Sequence, residues 1–160
     1  RHTPARPAQR HRLIPPDTPE FAWIGSRFAC GGLWVHCDPA GIIFYPTYFR
    51  WFDSATWAFF ASAGYTAKRM RAEGRSMPLV AAQSEFVHPA EQADRCEVRS
   101  RIERFGGKSF VVVHEAARLD GIVLARGKET RVWGRHIDGP GSPMKGEAIG
   151  EDLKALFRVA

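Results

Sequence analysis

One carboxylate, one proline and one glycine fall together in the turn Asp38-Pro39-Ala40-Gly41, and Pro46 follows at the head of a long apolar run. Proline suits the first helical position, because its fixed backbone angle fits and its missing N–H would be unpaired there anyway. The first turn of a helix presents free N–H groups and the positive end of the dipole. A carboxylate facing such a terminus is one way to build an acyl-transfer site: the carboxylate attacks or activates water, and an amide stabilises the oxyanion. A plainer reading is also open, in which the turn only caps the helix and Asp38 is a local acceptor.

Other chemistries find less support. His36, Cys37 and Asp38 are consecutive, and consecutive residues of a strand point to opposite faces, so no metal site is expected there. No Gly-x-Ser-x-Gly elbow occurs, which disfavours a serine hydrolase. His114 lies within a predicted strand, where a paired or exposed histidine is commoner than a base.

The elements that must position Asp38 follow from periodicity. Phe28 to Cys37 reads as a strand ending at the Asp-Pro turn. A helix is predicted from Pro46 to Ala63, with Gly64 as its stop. Tyr48, Phe52, Ala55, Phe59 and Ala63 repeat at helical spacing. Phe49, Trp51, Trp57 and Phe60 widen the apolar surface until only Arg50, Asp53 and Ser54 form a polar stripe. Such a helix must be covered on most sides, and a curved sheet would cover it. A short basic helix is expected from Thr66 to Glu73. Four strands follow, at 79–87, 95–105, 109–119 and 122–133. Gly106-Gly107 and Asp120-Gly121 read as two-residue hairpin turns, so the last three strands form an antiparallel meander. Gly139-Pro140-Gly141 marks a loop. A short extension is expected at 144–149 and a terminal helix at 151–157. There is no internal repeat. The expected organisation is a Pro/Arg-rich arm over residues 1–26 and one domain over 27–160.

Composition bounds the partners. The chain has 160 residues, 44% hydrophobic and 25% charged, which is ordinary for a globular domain with a sizeable core. No apolar run approaches the roughly 20 residues that span a bilayer. The net charge of +6 permits an anionic partner. Outside the arm, however, the bases are interspersed with acids, and no basic patch with stacking aromatics emerges, so nucleic acid is not expected. Three cysteines without CxxC spacing fit a reducing, cytoplasmic compartment.

The order strand, long buried helix, meander resembles the hotdog fold, an α+β arrangement in which an antiparallel sheet wraps one central helix. Asp38-Pro39-Ala40-Gly41-Ile42, followed by Tyr45-Pro46-Thr47-Tyr48, Arg50-Trp51 and Asp53, resembles the 4-hydroxybenzoyl-CoA thioesterase family, in the branch whose catalytic Asp precedes the central helix. Pro78-Leu79-Val80, Phe86-Val87, Lys108-Ser109-Phe110 and Arg131-Val132-Trp133 extend the likeness over residues 28–150.

The resemblance implies hydrolysis of an acyl-CoA, aromatic (4-hydroxybenzoyl-like) or of medium size. Asp38 would be nucleophile or general base, and the Tyr45 amide would polarise the thioester carbonyl. Gly41 would let the loop approach the substrate. Asp53 matches a position that contacts a ring hydroxyl, although a surface or capping acid is an equal reading. Ser76, Met77 and Pro78 match a segment that lines the neighbouring subunit's site. A homodimer or homotetramer is therefore implied, with the site at the subunit interface. Lys108, Ser109 and Lys145 match residues near the CoA nucleotide. The chain departs from the family where Gly106-Gly107 replace basic residues and Glu147 falls near an expected arginine, which leaves Arg104 and Arg135 as alternative phosphate contacts. No cofactor is implied, coenzyme A being part of the substrate, and no membrane. A non-catalytic acyl-CoA binder on the same fold remains the alternative.

Overall fold

The computed structural model describes residues 26–31, 36–139 and 141–157. The Pro/Arg-rich arm lies outside them, apart from its last residue. Strand β1 (Ser26–Gly31) precedes helix α1 (Pro46–Ser62) and the short helix α2 (Ala67–Ala72). Then come β2 (Arg75–Ser76), β3 (Leu79–Phe86), β4 (Arg95–Phe105), β5 (Ser109–Arg118) and β6 (Val123–Val132). The chain closes with β7 (Gly134–His136), β8 (Met144–Gly146) and α3 (Glu151–Ala155).

β1, β4, β5, β6 and β3 form one antiparallel five-stranded sheet in that order. It packs on α1 through β1, β4, β5 and β6. This is the α+β hotdog arrangement, and its cause is legible in α1. Tyr48, Trp51, Phe52, Ala55, Phe59 and Phe60 are all buried, so the helix must be wrapped rather than laid on a surface. Along β4 the alternation holds as Cys96, Val98 and Ser100 turn inward. A register shift between Ile102 and Arg104 then breaks it.

Three expectations need correction. The predicted strand 28–37 does not reach its expected end: β1 is described as far as Gly31, residues 32–35 lie outside the described set, and Cys37 makes only an isolated bridge to Ile43. Pro39 and the turn around it stop any longer ladder there. Both hairpins turn where expected, but their loops exceed two residues, spanning 106–108 and 119–122. In the second, a register shift after Ala116 adds a residue, and Asp120 accepts from the Ile122 amide at 3.3 Å. Finally, β2, β7 and β8 form a second, three-stranded sheet whose strands are too short to show any period.

The interior divides in two. Around the N-terminal half of α1, Tyr48, Trp51, Phe52 and Ala55 meet Cys96, Val98, Ala116 and Leu124. Around its C-terminal half, Phe60 meets Met77, Phe110, Val112, Trp133 and Ile149. Between the two clusters runs a seam of buried polar residues: Thr56, Ser100, His114, Glu129 and Arg131.

Candidate active site

Asp38 sits in a small closed turn. Its N–H donates to the Ile42 carbonyl at 2.9 Å, and the Gly41 N–H donates back to the Asp38 carbonyl at 2.9 Å. Gly41 has φ +80°, which a residue with a side chain adopts only with strain. The Phe44 amide donates to the His36 carbonyl at 2.7 Å, and the Ile43 amide to the Ala90 carbonyl at 2.8 Å, tying the turn to the segment after β3. Asp38 Oδ1 accepts from the Ala40 amide at 2.8 Å. That bond orients the carboxylate and leaves Oδ2 available.

Helix α1 starts where this turn ends. Tyr45 is its N-cap, in helical conformation and with no side-chain cap, and Pro46 opens the helix. The Thr47 amide donates to the Phe44 carbonyl at 2.9 Å and the Tyr48 amide to the Tyr45 carbonyl at 3.2 Å. Among the described residues no acceptor takes the Tyr45 N–H. It is the free donor at the positive end of the helix.

Asp38 and Tyr45 line one cavity of about 440 Å³ together with Ile42, Ile43, Tyr48, Phe86, Val87, His88 and Pro89. The Phe86 ring lies 6.2 Å from Tyr45 and 5.5 Å from Tyr48, edge to face. Phe86, Val87 and His88 went unnoticed as site residues in the sequence, since only the sheet register carries them to Asp38. The His88 Nδ1 donates to the Val123 carbonyl at 2.9 Å, which fixes the ring. An anionic group beside a free amide, under an aromatic wall, can hold and attack a polarised carbonyl.

The other expected site residues stand elsewhere on the chain. Asp53 is about half exposed on α1, and Arg131 donates to its Oδ1 at 2.5 Å. The same guanidinium donates to the Met77 carbonyl at 3.1 Å. Asp53 and the segment Ser76, Met77 and Pro78 are thereby brought together. Lys108 lies against the strand that carries Lys145: the Trp133 amide donates to the Lys108 carbonyl at 2.8 Å, and the Lys108 side chain packs beside Gly146 on β8. Ser109 opens β5 there. Neither lysine has an ion-pair partner among the described residues. Glu147 binds Arg75 and Arg135, each at 2.8 Å, so Arg135 is already committed. Lys108 and Lys145 belong to the end of the fold around the C-terminal half of α1, and Asp38 to the opposite end. One chain does not unite them.

The polar seam is a connected network. Glu129 Oε2 accepts from Thr56 Oγ1 at 2.8 Å and Arg131 Nε at 3.0 Å, with His114 Nε2 at 3.4 Å. Ser100 Oγ lies 2.8 Å from His114 Nδ1. A proton on Nε2 satisfies both sides of the ring, with Ser100 donating to Nδ1. Burial pushes the His114 pKa below its ordinary value, against the pull of Glu129. Burial would raise Glu129, but hydrogen bonds from His114 and Arg131 win and lower it to about 2. His114 is thus paired, not a base facing a substrate. Among the described residues no cluster of His, Cys, Asp and Glu could hold a metal ion.

Residues 33–152 match the sequence profile of the thioesterase-like superfamily. The chain belongs to that family. It is a hotdog-fold thioesterase, as the turn at Asp38 and the register of Tyr45, Arg50 and Asp53 implied. It is 33% identical over 104 residues to the 4-hydroxybenzoyl-CoA thioesterase of Pseudomonas sp. (strain CBS-3), covering 61% of this chain and 74% of that one. A mutant of 4-hydroxybenzoyl-CoA thioesterase complexed with 4-hydroxybenzoyl-CoA superimposes with a TM-score of 0.75 at 26% identity, over 84% of this chain and 99% of that one. A gentisyl-coenzyme A thioesterase gives 0.72 at 27% identity, over 83% and 100%. Among the described residues no helix is long and apolar enough to cross a membrane.

Proposed function

We propose that this thioesterase hydrolyses an acyl-CoA whose acyl group is aromatic, 4-hydroxybenzoyl-like, or of medium size. The observation that carries the reading is the shared cavity of the Asp38 carboxylate and the unbonded Tyr45 amide. The named substrates of the relatives, 4-hydroxybenzoyl-CoA and gentisyl-CoA, supply the substrate class.

In this reading the thioester oxygen takes the Tyr45 N–H. Asp38 then either attacks the carbonyl to give a mixed anhydride, or removes a proton from the attacking water. The C–S bond breaks and coenzyme A leaves as thiolate; in the first route water then cleaves the anhydride to the free acid and the Asp38 carboxylate. Water and Asp38 suffice, so no cofactor enters. Asp53 would contact a hydroxyl on the acyl ring. Lys108, Lys145 and Arg104 would face the CoA phosphates, a looser recognition that tolerates the glycines at 106 and 107.

A second copy completes this site. Among the described residues β3 is an edge strand paired only with β6, and it is exposed along almost its whole length. Leu79, Val80, Phe86 and Val87 together form an uncovered apolar edge. Antiparallel pairing of two such edges about a two-fold axis would carry one copy's Ser76–Leu79 to the other's Phe86, beside Asp38. Residues from the far end of the fold would then reach a substrate that one chain alone cannot surround.

Hydrolysis of a panel of aryl and alkyl acyl-CoAs tests the reading. Asp38→Asn should lower kcat by about a hundredfold or more on the best substrate. Equal activity in the variant would sink the mechanism. Binding of CoA esters without cleavage by the native protein would make it a binder instead.

A further inference from the structure

We infer that Arg131 is a positioning residue that holds Asp53 and the Met77 segment as one unit and so sets which acyl groups the site prefers. This rests on the thioesterase reading of the site.

The guanidinium is 2% exposed, yet it donates to three separate parts of the chain. Nε binds Glu129 on its own strand at 3.0 Å, one terminal nitrogen binds the Met77 carbonyl at 3.1 Å, and the other binds Asp53 on α1 at 2.5 Å. Glu129, which fixes the fork from behind, is held in turn by Thr56 and His114. The His114 ring is clamped by Ser100 and by the Phe52 ring stacked 4.9 Å away at 10°. Every link leads inward except one, which ends on the half-exposed Asp53.

Stability does not account for such a network. Taking several charges out of water costs about as much as their attraction returns, and apolar residues of the same volume often serve as well or better. A planar fork with fixed donor directions supplies position instead. Asp53 stands on an otherwise polar stripe of α1, where an aspartate would sample several rotamers. The fork fixes Oδ1 while about half of the Asp53 side chain stays exposed. Met77 lies in the two-residue connection between β2 and β3, with its side chain buried in the cluster around Phe60 and the Val132 amide donating to the Pro78 carbonyl at 3.1 Å. Packing places this connection, and the Arg131 fork is what links its backbone to the carboxylate of Asp53. A shift of about 1 Å in either would spoil a hydrogen bond to a bound acyl group.

The test has two readouts. The first is the ratio of kcat/KM for 4-hydroxybenzoyl-CoA to that for benzoyl-CoA. Arg131→Lys keeps the buried charge but cannot reach all three acceptors, so the ratio should fall about tenfold, as in Asp53→Ala. Joining the two substitutions should lower it no further. The second readout is amide hydrogen exchange over residues 76–80. It should rise about tenfold in Arg131→Lys, with the amides of β4 and β5 unchanged, and stay at the native level in Asp53→Ala. Glu129→Gln, which keeps the shape of the anchor and loosens its grip, must move both readouts in the same direction. Equal losses on both substrates with the ratio intact, or unchanged exchange, overturn the inference. If the native protein cleaves neither ester, the reading of the reaction falls and the exchange measurement still judges the clamp.

Discussion

At the scale of the residue, the turn at Asp38 shows how far local chemistry carries. An Asx turn, a glycine at positive φ and a proline opening a helix are all spelled in nearby letters, so the geometry of this turn was legible. The buried seam was not. Ser100 occupies an inward position of β4 like any core residue, and nothing near it in sequence announces His114, Glu129 or Arg131. Polar residues at core positions read as errors until the fold brings their partners together from three strands and a helix. Gly127 belongs to the same contact. A Cβ built there would lie 2.4 Å from Phe52 Cε2. The ring is also stacked on His114, 4.9 Å away, which limits how it can shift. Gly127→Ala should therefore cost about 1–3 kcal/mol by overpacking, read as a lower urea midpoint. An unchanged midpoint would mean that the ring has room to move.

At the scale of the element, the long strands and α1 were legible because each carries enough residues to display its period. β4 falls on its expected limits, and α1 ends one residue early. The small second sheet was invisible, since two- and three-residue strands have no period to show. β3 was legible as a strand but not as an edge. Residues 79–87 read simply as a strand, and only the register shows that β6 is its one neighbour among the described residues. An exposed apolar edge invites pairing with another chain unless a charge blocks it. Val80 is 60% exposed on that edge, so Val80→Lys should cost the monomer little. It should shift the mass measured by light scattering from dimer or larger toward monomer, and take hydrolysis with it. Unaltered mass would overturn pairing through β3.

At the scale of the whole molecule, the seam joins the two halves of the core, so its charge state bears on the cooperative stability of the fold. The sign follows from the direction of each pKa. His114 lies below its ordinary 6.5. As the pH drops below that value the unfolded chain binds a proton that the folded chain refuses, and stability falls. Glu129 lies at about 2, below its ordinary 4.5. Its contribution is fully present above 4.5 and is lost as the pH falls toward 2, on the order of 3 kcal/mol in all. Both groups act in one direction, so acid should weaken the fold in two successive ranges, the upper one governed by His114. Glu129→Gln should lower stability at neutral pH, because the Arg131 charge is left without its buried partner. It should also flatten the stability profile between about 4.5 and 2, the window of the native carboxylate. Urea unfolding at a series of pH values reads both. A variant that keeps the native slope in that range would show that other carboxylates, such as the exposed Asp120 held by Arg118, govern the acid limb instead.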